Sequence, residues 1–213
     1  MRFRRAGSSI PLVAHWREAS WCAVDLELTG LNPRRDHVIA IGAVPIEHGR
    51  VVLGRSMYTL VRSTRPSEHG AVLAHKLRAV DLEHAPPIDE ALQLLADVMS
   101  DRVPVFHFGS IERAFLGPLL AARGVKLSDH ADTEVLGRIW SARRGQRLPG
   151  RLQLPRLAAM LGHQIDASHH ALADALATAQ AFIALATHLD ELEQPQTVAM
   201  LVRAHERVRG VWR

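Results

Sequence analysis

The run Trp21-Cys22-Ala23-Val24-Asp25-Leu26-Glu27-Leu28-Thr29-Gly30-Leu31 is an apolar strand with two acids set into it. Trp21, Cys22, Ala23 and Val24 lead in, and Thr29-Gly30 followed by Asn32-Pro33 closes the run. Side chains alternate faces along a strand, so Asp25 and Glu27, two apart, point the same way. Two like charges on one face of an apolar strand are costly unless something positive compensates them. Carboxylate oxygens placed this way suit a hard divalent cation such as Mg²⁺ or Mn²⁺. The alternative is an edge strand whose polar face looks at water. The apolar flanks argue instead for a central strand.

Downstream, Val38–Ile46, a turn at Glu47-His48-Gly49, and Arg50–Val61 complete a three-strand antiparallel meander. Residues 62–75 read as a polar loop. Pro86-Pro87 precede a helix over Ile88–Ser100, with Ala91, Leu94, Leu95 and Val98 on one face. Val103–Phe108 is a short strand, followed by a helix Ile111–Leu116 that Gly117-Pro118 should break or kink. Further helices are expected from Thr133 to about Ala142, around Leu152–Leu161, from Ser168 to Leu189, and along the tail after Glu191. Strands first and helices interleaved afterwards indicate a three-layer α/β domain with a mixed sheet, the meander being extended by parallel strands. The expected organisation is a basic N-terminal arm over residues 1–19, one domain over 20–190, and a C-terminal helical extension over 191–213.

The Ser168–Leu189 helix holds one acid between Ala171 and Leu189, Asp174, among residues that are nearly all Ala, Leu, Phe and Ile. A helix apolar all round is buried, so Asp174 is expected to be buried with it. Either the helix dipole holds this carboxylate or a metal does, and a metal is the stronger reason. His169, at the mouth of the same helix, can titrate near neutrality and suits a general base. It and His170 also read as ordinary surface histidines.

At 213 residues and 47% hydrophobic, the chain has ample material for a folded core. One cysteine, Cys22, leaves no internal disulfide, which fits a reducing, cytoplasmic setting. No apolar run approaches the roughly 20 residues of a membrane helix, so no membrane partner is expected. A formal charge of +4 permits a polyanionic partner. Between Glu134 and Asp166 there are six arginines, Arg138, Arg143, Arg144, Arg147, Arg151 and Arg156, and no acid. This segment leads into the His169 loop and could steer a strand by its phosphates, or be a solvated loop.

Three motifs together resemble the DEDD superfamily of 3′–5′ exonucleases, in its histidine (DEDDh, DnaQ-like) branch of the RNase H-like fold. Asp25-Leu-Glu27-Leu-Thr29-Gly30-Leu31 resembles the first motif, and His169-His-Ala171-Leu-Ala-Asp174 the third, His-x-Ala-x-x-Asp. Val105-Phe-His107-Phe-Gly-Ser-Ile-Glu112-Arg-Ala-Phe115-Leu116 fits the frame of the second, with Glu112 in the acid position. Two departures stand out: Glu112 where the family usually has Asp, and Phe108 where it usually has Asn. The resemblance spans Trp21 to Leu189 and implies two-metal phosphodiester hydrolysis at 3′ ends, releasing 5′-mononucleotides. Asp25 would bridge two Mg²⁺ or Mn²⁺ ions, with Glu27 and Asp174 completing one site, Glu112 supporting the other, and His169 the base. Thr29 and Leu31 would contact the 3′-terminal nucleotide, and Arg143, Arg144 and Arg147 the strand. Single-stranded DNA or RNA 3′ ends are the expected partners; self-association or association with a polymerase is compatible with the resemblance. The competing readings are a nucleic-acid-binding or polymerase-associated module with weakened catalysis, and a metal protein that is not a nuclease.

Overall fold

Residues 11–127, 129–164 and 169–209 are described by a computed structural model. The strand carrying Asp25 is β1 (Trp21–Leu28), and it is central, as its apolar flanks require. It pairs antiparallel with β2 (Val38–Glu47), whose residues are buried up to the last one. The third strand of the meander is broken in two. After the turn at His48-Gly49, both at positive φ, β3 is only Arg50–Val51. A 3₁₀ turn over Leu53–Arg55 follows, and pairing resumes in β4 (Met57–Leu60). Pro45 supplies the reason. Its carbonyl accepts from the Val52 N–H at 2.9 Å, but it has no N–H to return, so the ladder lapses there and restarts opposite Ala43.

The segment expected as a polar loop contains a short helix, α1 (His69–His75), and α2 (Ala79–Leu82) follows it. Then come α3 (Ile88–Met99), β5 (Val103–Phe106) and α4 (Gly109–Ala121). The helix α4 runs through Gly117-Pro118, contrary to the expected break. Pro118 faces outward, so the bond it denies the preceding turn can be made by water. Next are β6 (Ala131–Asp132), α5 (Thr133–Arg143), α6 (Leu154–Met160) and α7 (Ala171–Leu192). The tail forms two short helices where one was expected, α8 (Val198–Val202) and α9 (Ala204–Arg209). The Thr197 hydroxyl caps α8 by accepting from the Met200 N–H.

The sheet order is β3-β2-β1-β5-β6, with β4 also on the outer edge of β2. β1, β5 and β6 run parallel, so the mixed, meander-plus-parallel sheet is as expected. Alternation along β1 builds two cores. Cys22, Val24, Leu26 and Leu28 pack with α3 and α4, while Trp21 and Ala23 pack with α5, α6 and α7. On the second side Phe182 of α7 meets Trp16 edge-on at 5.9 Å and Trp21 at 4.6 Å. Each such ring, fully buried, stabilises the fold by about 2–3 kcal/mol.

The described core extends past the limits expected for the domain. Residues 1–10 of the expected arm lie outside the described residues, but Trp16 is buried and donates its indole N–H to Asp190 at 2.9 Å. Val198, Leu201, Val202 and Ala204 from the tail join the same core. By length and composition α7 could cross a membrane, against the sequence expectation. Here it packs across β1, β2 and α5 as the central helix of the domain.

Candidate metal centre

The odd residues of β1 face α7, so Asp25 and Glu27 continue the row of Trp21 and Ala23 toward the carboxyl end of the sheet. Asp25 pairs across the ladder with Gly42 of β2. That glycine is what lets α7 approach: a Cβ on it would lie 2.2 Å from the Ala171 carbonyl oxygen. The first turn of α7 therefore sits against the sheet beside Asp25 and brings Asp174 in. Carboxylate oxygens of Asp25, Glu27 and Asp174 all lie within 4.8 Å of one another.

Glu112 joins from the first turn of α4. It is 6% exposed and close enough for its charge to raise the Asp25 carboxyl. Burial is the main cause pushing Asp25 well above the usual carboxylate range, with the charges of Glu112, Asp174 and Glu27 adding to it. Glu27 is pushed up to about 8 by burial and by Asp174. Glu112 is also pushed up to about 8 by burial, against its own backbone N–H and with help from Asp132. Asp174, half-buried where full burial was expected, is raised by burial while His169 and His170 oppose the shift. Glu27 Oε1 and Glu112 Oε2 are buried and accept no hydrogen bond among the described residues. Clustered, partly orphaned hard oxygens fit divalent cations.

A stability prediction follows for the metal-free protein. Glu27 and Glu112 hold their protons in the fold up to about 8, whereas the unfolded chain loses them near the ordinary value of 4.5. These groups impose no penalty below pH 4.5 and a growing one as pH rises through 8. His107 and His130, both pushed down to about 4 mainly by burial, act oppositely, but only below their ordinary value of 6.5. Between pH 6.5 and 8 the carboxyls therefore dominate. Thermal melts in chelator are expected to drop by several degrees across that window, at roughly 2–4 °C per kcal/mol. Mn²⁺ or Mg²⁺ should reverse the drop; an identical melt with and without metal would contradict the assignment.

Asp25, Glu27, Glu112, Asp174, His169 and Leu31 line one cavity of about 540 Å³. His169 is exposed at its rim in a left-handed conformation, φ 42°. His170 turns away to stack on Tyr58 at 4.4 Å. Leu31, 70% exposed, stands at the mouth. Thr29 does not line the cavity. It is buried, and its hydroxyl accepts from the His37 N–H at 2.9 Å, which holds the start of the loop behind Leu31. Arg143, Arg144 and Arg147 do not line it either. Arg143 pairs with Glu193 at the far end of α7, about 28 Å along the helix from Asp174, and Arg144 lies over Trp140. From the arginine segment, it is Arg151 that reaches the cavity.

Sequence reasoning gave no role to His75, His107 and Phe108, which line the cavity. His75 and His107 are buried, and each leaves Nε2 without a hydrogen bond. His75 Nδ1 accepts from the Leu77 N–H, and His107 Nδ1 lies 2.8 Å from the Thr133 hydroxyl. Phe108, noted in the sequence only as a departure, forms part of the wall. A buried histidine leaves no periodic signal, and α1, which carries His75, was itself missed.

This geometry can be set beside known proteins. The sequence profile described as RNase_T, exonuclease, matches residues 22–182. A DNA polymerase III PolC-type protein of Caldanaerobacter subterraneus subsp. tengcongensis is 28% identical over 190 residues, which is 86% of this chain. A DNA polymerase III subunit epsilon-like protein of Rhodobacter capsulatus is 30% identical over 186 residues, 85% of this chain. The chain spans only 13% of the first relative's length and 26% of the second's. Among solved structures, Exonuclease X in complex with 5′ overhanging duplex DNA superposes with a TM-score of 0.65. It is 21% identical, and the match covers 86% of this chain and 98% of that one. With the profile matched along most of its length, the chain belongs to the RNase T exonuclease family.

Proposed function

We propose that this protein is a metal-dependent 3′–5′ exonuclease that releases 5′-mononucleotides from single-stranded DNA or RNA. The observation that carries the reading is the convergence of Asp25, Glu27, Asp174 and Glu112 on one cavity with His169 at its rim, two of the buried carboxyl oxygens lacking hydrogen-bond partners among the described residues. Glu27, Asp174 and Asp25 would hold one divalent cation, and Asp25 with Glu112 a second. Divalent cations such as Mg²⁺ or Mn²⁺, if held there, would supply Lewis-acid stabilisation of the charge that develops on the attacking and leaving oxygens. His169, exposed and held by its strained backbone, takes the proton from the attacking water. Leu31 stacks against the terminal nucleotide, and the Thr29–His37 bond keeps its loop in place.

The experiment is release of 5′-mononucleotides from a single-stranded oligonucleotide, followed by chromatography, in chelator and after adding back Mg²⁺ or Mn²⁺. Release that depends on the ion supports the reading; none under either ion sinks it. His169→Ala is expected to lower the rate by roughly 10²–10⁴ and to flatten its rise with pH near neutrality. His170→Ala should be much milder, because that ring stacks on Tyr58 outside the cavity. Equal damage from His170 would show that the base is misassigned.

Glu112 and Phe108 favour a second reading, a binding module with weakened catalysis. The ion-restored rate of the wild-type protein separates the two.

A further inference from the structure

Phe108 occupies a backbone conformation that phenylalanine avoids. Its φ is 63° and ψ 49°, left-handed, where Asn or Gly is at ease and a bulky side chain is strained. Asp132 holds it there by accepting from the N–H groups of Phe108 and Gly109, at 3.4 and 2.9 Å. The ring is only half-buried, so the strain is not explained by core packing. It lies in the wall of the carboxylate cavity, with the His107 ring against it at 4.6 Å. The Arg151 guanidinium lies over the ring, 5.5 Å from its centre. Arg151 is exposed, lines the same cavity, and has no carboxylate partner among the described residues. An aromatic face and a guanidinium unpaired with any acid, both at a phosphodiester site, are the two parts of a single-strand subsite.

Topology says which nucleotide it would take. Leu31 leaves β1 toward β2, whereas Phe108 ends β5 on the other side of β1, so Asp25 and Glu27 lie between them. A strand with its terminal nucleotide at Leu31 and its scissile phosphate at the acids continues toward Phe108. Resting on the nuclease reading above, we propose that Phe108 and Arg151 form a clamp for the nucleotide on the 5′ side of the scissile bond. Its base stacks on Phe108, and Arg151 moves from the ring to a phosphate of the retained strand. Strain at a functional site is held by the surrounding structure and serves to pre-position such a surface.

The test measures binding by fluorescence anisotropy, with Ca²⁺ in place of Mg²⁺, so it does not require turnover. The probes are single-stranded oligonucleotides that are intact, abasic at the 3′-terminal nucleotide, or abasic at the penultimate one. For the wild-type protein, the penultimate abasic site should weaken binding about tenfold. Phe108→Asn should weaken binding of the intact strand about as much and abolish the penultimate penalty. Asparagine accepts the left-handed backbone, so this variant should melt no lower than wild type, separating the clamp from a folding defect. Arg151→Ala should lower the salt slope of binding by about 0.7. A penultimate penalty that survives in Phe108→Asn overturns the proposal, as does a penalty confined to the terminal base. Absence of mononucleotide release by wild type in Mg²⁺ would count against the nuclease reading alone.

Discussion

Asp25→Ala is expected to lower the rate of hydrolysis by about three orders of magnitude or more while the fold is retained. Asp25 is the acid toward which the others point: Glu27, Asp174 and Glu112 all raise its carboxyl by their charge. In the proposed arrangement it would help hold both cations, so its loss would weaken both sites. Stabilisation by such ions amounts to several kcal/mol, and each 1.36 kcal/mol is tenfold in rate. The fold should not suffer, because removing one of several crowded acids relieves repulsion in the metal-free protein. A melt in chelator at pH 8 should therefore be no lower than wild type. Retention of a tenth of the wild-type rate would mean that the cations sit elsewhere.

The second large effect concerns Glu112. Its carboxyl is buried, its Oε2 accepts no hydrogen bond among the described residues, and it lies within electrostatic reach of Asp25. A buried acid without a role would be costly to keep. Glu112→Ala should lower the rate by two or more orders of magnitude, since a carboxylate that helps hold an ion is lost. Glu112→Asp should also lose activity, roughly tenfold or more, because the shorter side chain no longer reaches from α4. Rates measured for all three proteins under Mg²⁺ and Mn²⁺ separate this from decay. In decay, wild type would be weak, Glu112→Ala nearly neutral, and Glu112→Asp a partial rescue. A Glu112→Asp protein faster than wild type would contradict the account.

The parts of this molecule legible in the sequence are those where chemistry and periodicity coincide. Two acids at strand spacing inside an apolar run identified β1, its face and its central place. A lone aspartate near the start of an otherwise apolar helix identified Asp174, and the histidine five residues before it identified His169. What escaped depends on contacts distant in sequence. Pro45 splits the third strand only because Val52 lies opposite it. Ala71-Val72-Leu73-Ala74 was too short an apolar run, behind too many loop formers, to mark α1. Arg143 and Arg151 look alike in the sequence, but α5 carries one toward Glu193 and the loop after Gly150 brings the other to Phe108. The closeness of α7 to β2 likewise depends on Gly42, which reads as an unremarkable position in a strand.

The most direct test uses one single-stranded oligonucleotide labelled at its 5′ end in one sample and at its 3′ end in another, incubated with Mg²⁺ and resolved on a gel. With the 5′ label, the account predicts a ladder that shortens one nucleotide at a time. With the 3′ label, the first labelled product should be the mononucleotide, with no longer labelled fragments, and chelator should abolish both patterns. Labelled fragments of intermediate length from the 3′-labelled strand, or hydrolysis that persists in chelator, would contradict it.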